Sequence, residues 1–196
     1  MRQVLNRNVF LVKEHVGAFK AANNYDVHDP ETGEIIMLCR EPNLRGIAKM
    51  LRFTDWKRYT PFDIVITTPE GEQIVRVTRG AAFIRSTVTV LDHDDRPLGH
   101  FRQKLLSIGG AFDLLDDEDR VLCSLVGKWT SWDFRFKLGD RELARVSKKW
   151  AGIGKELFTS ADNYVLQIAD DVPSVDAPVR QLIIAAVMCI DMVLKE

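Results

Sequence analysis

The sequence predicts an all-β fold: a closed barrel of about twelve strands, built from hairpins and wrapped around a buried C-terminal hydrophobic helix. Three observations predict it. A unit of alternating apolar residues, an acidic or Gly-containing turn and alternating apolar residues recurs six times. The units start 37, 26, 24, 22 and 22 residues apart, a regularity that suits a barrel or sandwich better than an α/β fold. The chain then closes on a stretch that is apolar on every face, and a barrel of that width is too wide for its own side chains to fill.

The units come in order as YDVHDPETGEIIMLCRE (25–41), with a turn from Pro30 to Gly33, and FDIVITTPEGEQIVRVTRG (62–80), with a turn at Pro69-Glu70-Gly71. VTVLDHDDRPLGHFRQK (88–104), FDLLDDEDRVLCSLVGKW (112–129), FRFKLGDRELARVSKKW (134–150) and ELFTSADNYVLQIAD (156–170) follow. Period-two alternation marks a half-buried strand, and Asp, Asn, Gly and Pro supply the turns. NLRGIAKMLRF (43–53) breaks the rhythm. Leu44, Ile47, Ala48 and Leu51 fall at helical spacing behind Asn43, which predicts a short crossing helix.

VDAPVRQLIIAAVMCIDMVLKE (175–196) carries helix-start signals in Asp176 and Pro178. The central helix is expected over about 177–194. Its unbroken apolar run, Leu182 to Ile190, is far short of the ~20 residues a membrane span needs, and Asp191 follows it. Burial in protein is therefore expected, with Leu182, Ile183, Ala186, Val187 and Ile190 against barrel residues such as Val65, Val90 and Leu114. The 196 residues read as one domain, with hairpins over about 9–170.

Composition excludes several classes. With 46% hydrophobic residues, 28% charged residues and a net charge of −1, the chain is globular and lacks the basic excess of a nucleic-acid binder. Residues 1–110 carry +3 and residues 111–196 carry −4, too mild a split to name a partner. Cys39, Cys123 and Cys189 are scattered and form no CxxC pair, which predicts buried thiols and a reducing, cytoplasmic setting. Arg7, Lys13, Glu14 and His15 interrupt the first residues, so no signal peptide is expected. His15, His28, His93 and His100 form no zinc spacing, although His93 and His100 are placed to approach each other across one hairpin. There is no GxSxG elbow and no phosphate loop, so an enzyme is not expected.

The closing residues, TSADNYVLQIADD followed by APVRQLIIAAVMCIDMVLKE, resemble the end of the phospholipid scramblase family. FLVKEHVGAFKAANNYDVHDPETGEIIMLCRE (10–41) resembles the first strands of that family and of the LURP-one-related proteins. The ADN and the helix containing CID (189–191) are the most specific matches. The resemblance implies a Tubby-like barrel of twelve strands around a central C-terminal helix. It also implies association with phospholipid or phosphoinositide membranes, and for scramblases a Ca²⁺-dependent lipid-flipping activity. It does not extend to the proline-rich extension or the palmitoylated cysteines of animal scramblases. The family's twelve-residue Ca²⁺ segment falls on Ser160 to Asp171, where Asp162 and Asp171 are the two carboxylates that remain and Val165 stands where such a loop needs Gly. The expectation is a capping turn before a strand, with no cofactor bound.

The leading candidate site is the basic stretch Arg45, Lys49, Arg52, Lys57 and Arg58, with Trp56 and Tyr59 interleaved and Asp55 its one acid. Basic side chains attract an anionic leaflet, and Trp or Tyr sits at headgroup level. A solvated helix face and loop is the plainer reading. Arg145, Lys148 and Lys149 beside Trp150 form a second basic cluster, and the acidic turns Asp92 to Asp95 and Asp116 to Asp119 read as turns before they read as cation sites. The expected function is a membrane-associating module that binds phospholipid or phosphoinositide headgroups. It would be cytoplasmic, peripheral at the inner face of the plasma membrane, with no nucleic-acid partner. True scrambling and a protein-interaction scaffold with a protein partner stay open as alternatives.

Overall fold

A computed structural model describes residues 2–14, 24–42, 60–80, 87–103, 111–128, 132–148, 163–172, 178–188 and 190. A short helix, α1 (Arg2–Leu5), precedes strand β1 (Val9–Glu14). Three antiparallel hairpins come next: β2 (Tyr25–His28) with β3 (Ile35–Arg40), β4 (Phe62–Thr67) with β5 (Gln73–Arg79), and β6 (Val88–Leu91) with β7 (Pro97–Gln103). Two more pair β8 (Ala111–Asp116) with β9 (Val121–Lys128) and β10 (Asp133–Leu138) with β11 (Arg141–Ser147). Strand β12 (Asn163–Ile168) and helix α2 (Pro178–Met188) complete the described elements. Every strand pairs with its sequence neighbours, and β12 returns to β1, so the twelve described strands close into an antiparallel barrel.

Turn chemistry explains the hairpins. Each turns through a left-handed residue: Gly33 (φ 74°), Gly71 (φ 93°), Asp95 (φ 58°), Asp119 (φ 63°) or Gly139 (φ 61°). Beside each of these turns the ladder register shifts. An extra residue that turns left-handed bends the strand and tightens the reversal. Glycine adopts that conformation freely, and aspartate is among the few other residues that tolerate it.

The core follows the alternation. Phe62, Ile64 and Ile66 of β4 are buried, while Asp63, Val65 and Thr67 are half-buried on the other face. Helix α2 fills the barrel and lies against β5, β7 and β8. Leu182 to Met188 and Ile190 are all buried in one cluster with Val90 and Leu114. Full burial of each large aliphatic side chain contributes roughly 1.5–3 kcal/mol, so the helix and wall stabilise each other. The helix N-terminus lies at the end that carries the acidic hairpin turns, where its dipole is favourably placed.

Two expectations are corrected. Val65 faces away from the helix, because Ile64 and Ile66 take the inward positions and parity leaves Val65 with Asp63. The unit at 156–170 does not form a sixth hairpin. β12 has both edges occupied, by β1 (Val9↔Gln167) and by β11 (Ala144↔Ile168), so the twelfth strand is the N-terminal β1. The expected helix at 43–53 lies outside the described residues.

Candidate functional site

Because strand direction alternates, the barrel has two unlike ends. The five hairpin turns and the turn at 169–172 share one end, while the connections between hairpins share the other. The turn end (29–34, 68–72, 92–96, 116–120, 139–140 and 169–172) carries fifteen carboxylates. Against Arg96 and Arg120 within the turns and Arg7 and Arg141 beside them, the carboxylates are in excess by eleven, and Arg76 also reaches Asp95 at 3.5 Å. In the sequence, the segments that join the strands at their other ends (15–24, 41–61, 80–87, 104–110, 129–132 and 148–162) contain eleven Lys or Arg against four acids, and all of these bases but Lys148 lie outside the described residues. All four tryptophans, Trp56, Trp129, Trp132 and Trp150, belong to these connections.

At the turn end, three aspartates hold their own backbones. Asp29 Oδ1 accepts from the amides of Glu31 at 2.7 Å and Thr32 at 3.3 Å. Asp92 Oδ1 accepts from Asp94 at 2.8 Å and Arg96 at 2.9 Å. Asp116 Oδ1 accepts from Glu118 at 3.0 Å and Arg120 at 2.9 Å, while Arg120 Nε donates to its Oδ2 at 2.8 Å. The Glu31 amide leads in holding the Asp29 carboxyl below its usual range, helped by Arg7. Burial pushes Asp92 and Asp116 up, but amide donors and the arginines outweigh it and hold both low. These carboxylates are turn formers, and no group of three metal-ligating side chains occurs among the described residues. His93 lies 3.6 Å from Asp94 and His100 3.1 Å from Asp119, so each meets its own carboxylate.

At the connection end, Trp132 takes a left-handed backbone conformation (φ 48°). Its ring stacks on Tyr164 at 5.7 Å and meets Phe134 edge-on at 6.2 Å. Tyr164 meets Tyr25 edge-on at 6.4 Å, and its hydroxyl donates to Val187 O on α2 at 3.4 Å. Lys148 Nζ stands 4.1 Å from the Trp132 ring centroid, a cation–π geometry. On β5, at the same end, the Arg79 guanidinium is buried over Phe62 at 4.7 Å and donates to Thr60 O at 2.7 Å. Arg145 grips Asp133 through two 2.8 Å bonds that hold the Asp133 carboxyl low. Within the second basic cluster Arg145 is thus paired with Asp133 and Lys148 stands over the Trp132 ring. Lys149 and Trp150 lie outside the described residues.

Arg45, Lys49, Arg52, Trp56, Lys57, Arg58 and Tyr59 also lie outside the described residues. They join β3 to β4, whose flanking residues Arg40 and Phe62 sit at the connection end. Arg40 is tied to Asp26 at 2.5 Å and to Tyr25 O at 2.7 Å. Asp162 is outside the described residues as well. Asp171 is exposed at the turn end, 2.7 Å from Arg141. Residues 163–168 run extended as β12.

One buried charge escaped the sequence reading. Arg180, on the first turn of α2, donates to Leu5 O at 2.6 Å, to Arg7 O at 3.0 Å and to Asn8 Oδ1. Asn8 Nδ2 donates in turn to Asp170 at 2.6 Å, relaying a countercharge. The Arg180 Nε has no hydrogen-bond partner among the described residues. Burial pulls the Arg180 guanidinium below its usual value, and Asp170 opposes the shift.

The sequence matches the family model described as Scramblase over residues 3–196, nearly the whole length. The chain belongs to the scramblase family. An X-ray structure of a protein from Arabidopsis thaliana with the Tubby-like, LURP-type fold is similar to this scramblase-family barrel. The two are 16% identical with a TM-score of 0.55, over 94% of this chain and 90% of the plant protein. That likeness concerns the fold. In this scramblase-family chain no described helix is long and apolar enough to cross a membrane.

Proposed function

We propose that this scramblase-family protein binds anionic phospholipid or phosphoinositide headgroups as a peripheral module on the cytoplasmic face of the plasma membrane. The observation that supports the reading is a sorting of charge along the sequence: acids gather in the turns of one barrel end, while bases and tryptophans fall in the segments that connect the strands at their other ends. Arg45, Lys49, Arg52, Lys57 and Arg58 supply attraction, at about 1 kcal/mol for each basic side chain near an anionic leaflet. Trp56 and Tyr59 supply shallow contact at headgroup depth. The mechanism is electrostatic and salt-sensitive. Burial of α2 supports binding over scrambling, since a polar lipid path would require this barrel to open or assemble.

Co-sedimentation of the intact protein with vesicles tests the reading. Binding to phosphatidylserine or phosphoinositide vesicles at low salt, weaker at high salt and absent on neutral vesicles, is the expected result. Folded protein that stays in the supernatant under every condition removes the reading and points to a protein partner.

A further inference from the structure

We infer that the barrel meets an anionic membrane end-on, with its connection end among the headgroups and its acidic hairpin turns directed into water. The inference rests on the headgroup reading and adds a face and an orientation to it. Two independent observations carry it. The turn end holds fifteen carboxylates, well in excess of the arginines that reach them, so this face is repelled by an anionic leaflet. Three of these carboxylates, Asp29, Asp92 and Asp116, are locked to backbone amides, which fixes charge at that face. The opposite end carries half-buried Trp132 with Lys148 over its ring. An indole with a cation beside it matches a headgroup layer, where the ring sits at the apolar boundary and the ammonium meets phosphate.

Geometry makes the orientation effective. Strands of six to eight residues hold the two ends roughly 20 Å apart, well beyond the ~8 Å over which salt screens charge at physiological strength. When the connection end touches the surface, the acidic turns are therefore too distant to be repelled. When the barrel lies on its side, the acidic turns come into the field and oppose contact. A basic region that only dangled from an unoriented barrel would leave Trp132 and Lys148 away from the lipid.

Brominated lipid reports the contact directly, because bromine quenches indole only at short range. The native protein is mixed with phosphatidylserine vesicles brominated near the headgroup end of the chains, and binding is measured in parallel by co-sedimentation. A C189S variant carrying Asp140→Cys, labelled with a small fluorophore, reports on the turn end. The expected result is loss of tryptophan emission on brominated vesicles, with the residue 140 probe unquenched by lipid and still open to aqueous iodide. A variant with Trp56, Trp129 and Trp150 replaced by Phe isolates Trp132 and should lose emission too. Protein that sediments with the vesicles yet keeps its tryptophan emission, or whose residue 140 probe is quenched by lipid, overturns the orientation while leaving headgroup binding in place. Protein that does not sediment overturns both.

Discussion

Replacing Arg180 tests how the central helix is locked into the barrel. The guanidinium joins α2 to the chain ahead of β1 through Leu5 O, Arg7 O and Asn8 Oδ1, and it is buried although no carboxylate among the described residues touches it. Hydrogen bonds from a charged donor contribute about 1.5–3 kcal/mol each, and desolvating the ion costs several kcal/mol in return. Arg180→Met removes that cost but leaves three acceptors without their donor, at roughly 1–3 kcal/mol for each that water cannot reach. Arg7 is exposed, so water recovers part of this, and the net expectation is a loss of about 2–4 kcal/mol. For a domain of this length that lowers the melting temperature by roughly 5–15 °C. Thermal unfolding followed by near-ultraviolet circular dichroism measures it. Asn8→Ala should cost less, and the double variant should be less destabilised than the sum, because both remove the same link. An R180M protein as stable as the native one would refute the reasoning and make the buried charge a net burden.

Further outcomes follow from the same contacts. A Cβ on Gly99 would stand 2.1 Å from the Leu115 carbonyl oxygen, whereas one on Gly71 meets nothing within 4 Å. Gly99→Ala should therefore destabilise by about 3 kcal/mol or more through a backbone clash, and Gly71→Ala by only about 1–2 kcal/mol through its left-handed φ, as urea midpoints would show. Asp29, Asp92, Asp116 and Asp133 are held below their usual carboxyl range. A depressed folded value means stability present above the unfolded value near 4 and lost as pH falls through the folded values. Urea midpoints should thus hold near neutral pH and drop below about pH 4, less steeply for Asp29→Asn. Burial, with Asp113 nearby, pushes the Cys123 thiol up to about 12, so Cys123 should resist thiol reagents until the protein is unfolded.

Strand number, barrel closure and the filling helix were legible in the sequence because period-two alternation and turn residues are local signals. The pairing of β12 was not. Its partner β1 lies some 150 residues away in the chain, and alternation marks a strand without naming its neighbour. Val65 was misplaced because Ile64, Val65 and Ile66 are apolar in succession, and only Asp63 betrays which parity faces out. Arg180 stood in plain view at the head of an apolar stretch, but its acceptors are supplied by residues 5–8 at the other terminus. The polarity of the barrel ends was hidden for a related reason. Acidic turns and basic connections alternate along the chain, so totals by halves average them away, and only the topology sorts them.

Titration of the intact protein with phosphatidylserine vesicles, against a variant with Arg45, Lys49, Arg52, Lys57 and Arg58 changed to Gln, tests the central claim most directly. At about 1 kcal/mol per base, the variant should bind at least ~100-fold more weakly while melting at the native temperature. A folded variant that binds these vesicles as tightly as the native protein would contradict the claim that this stretch recognises the headgroups.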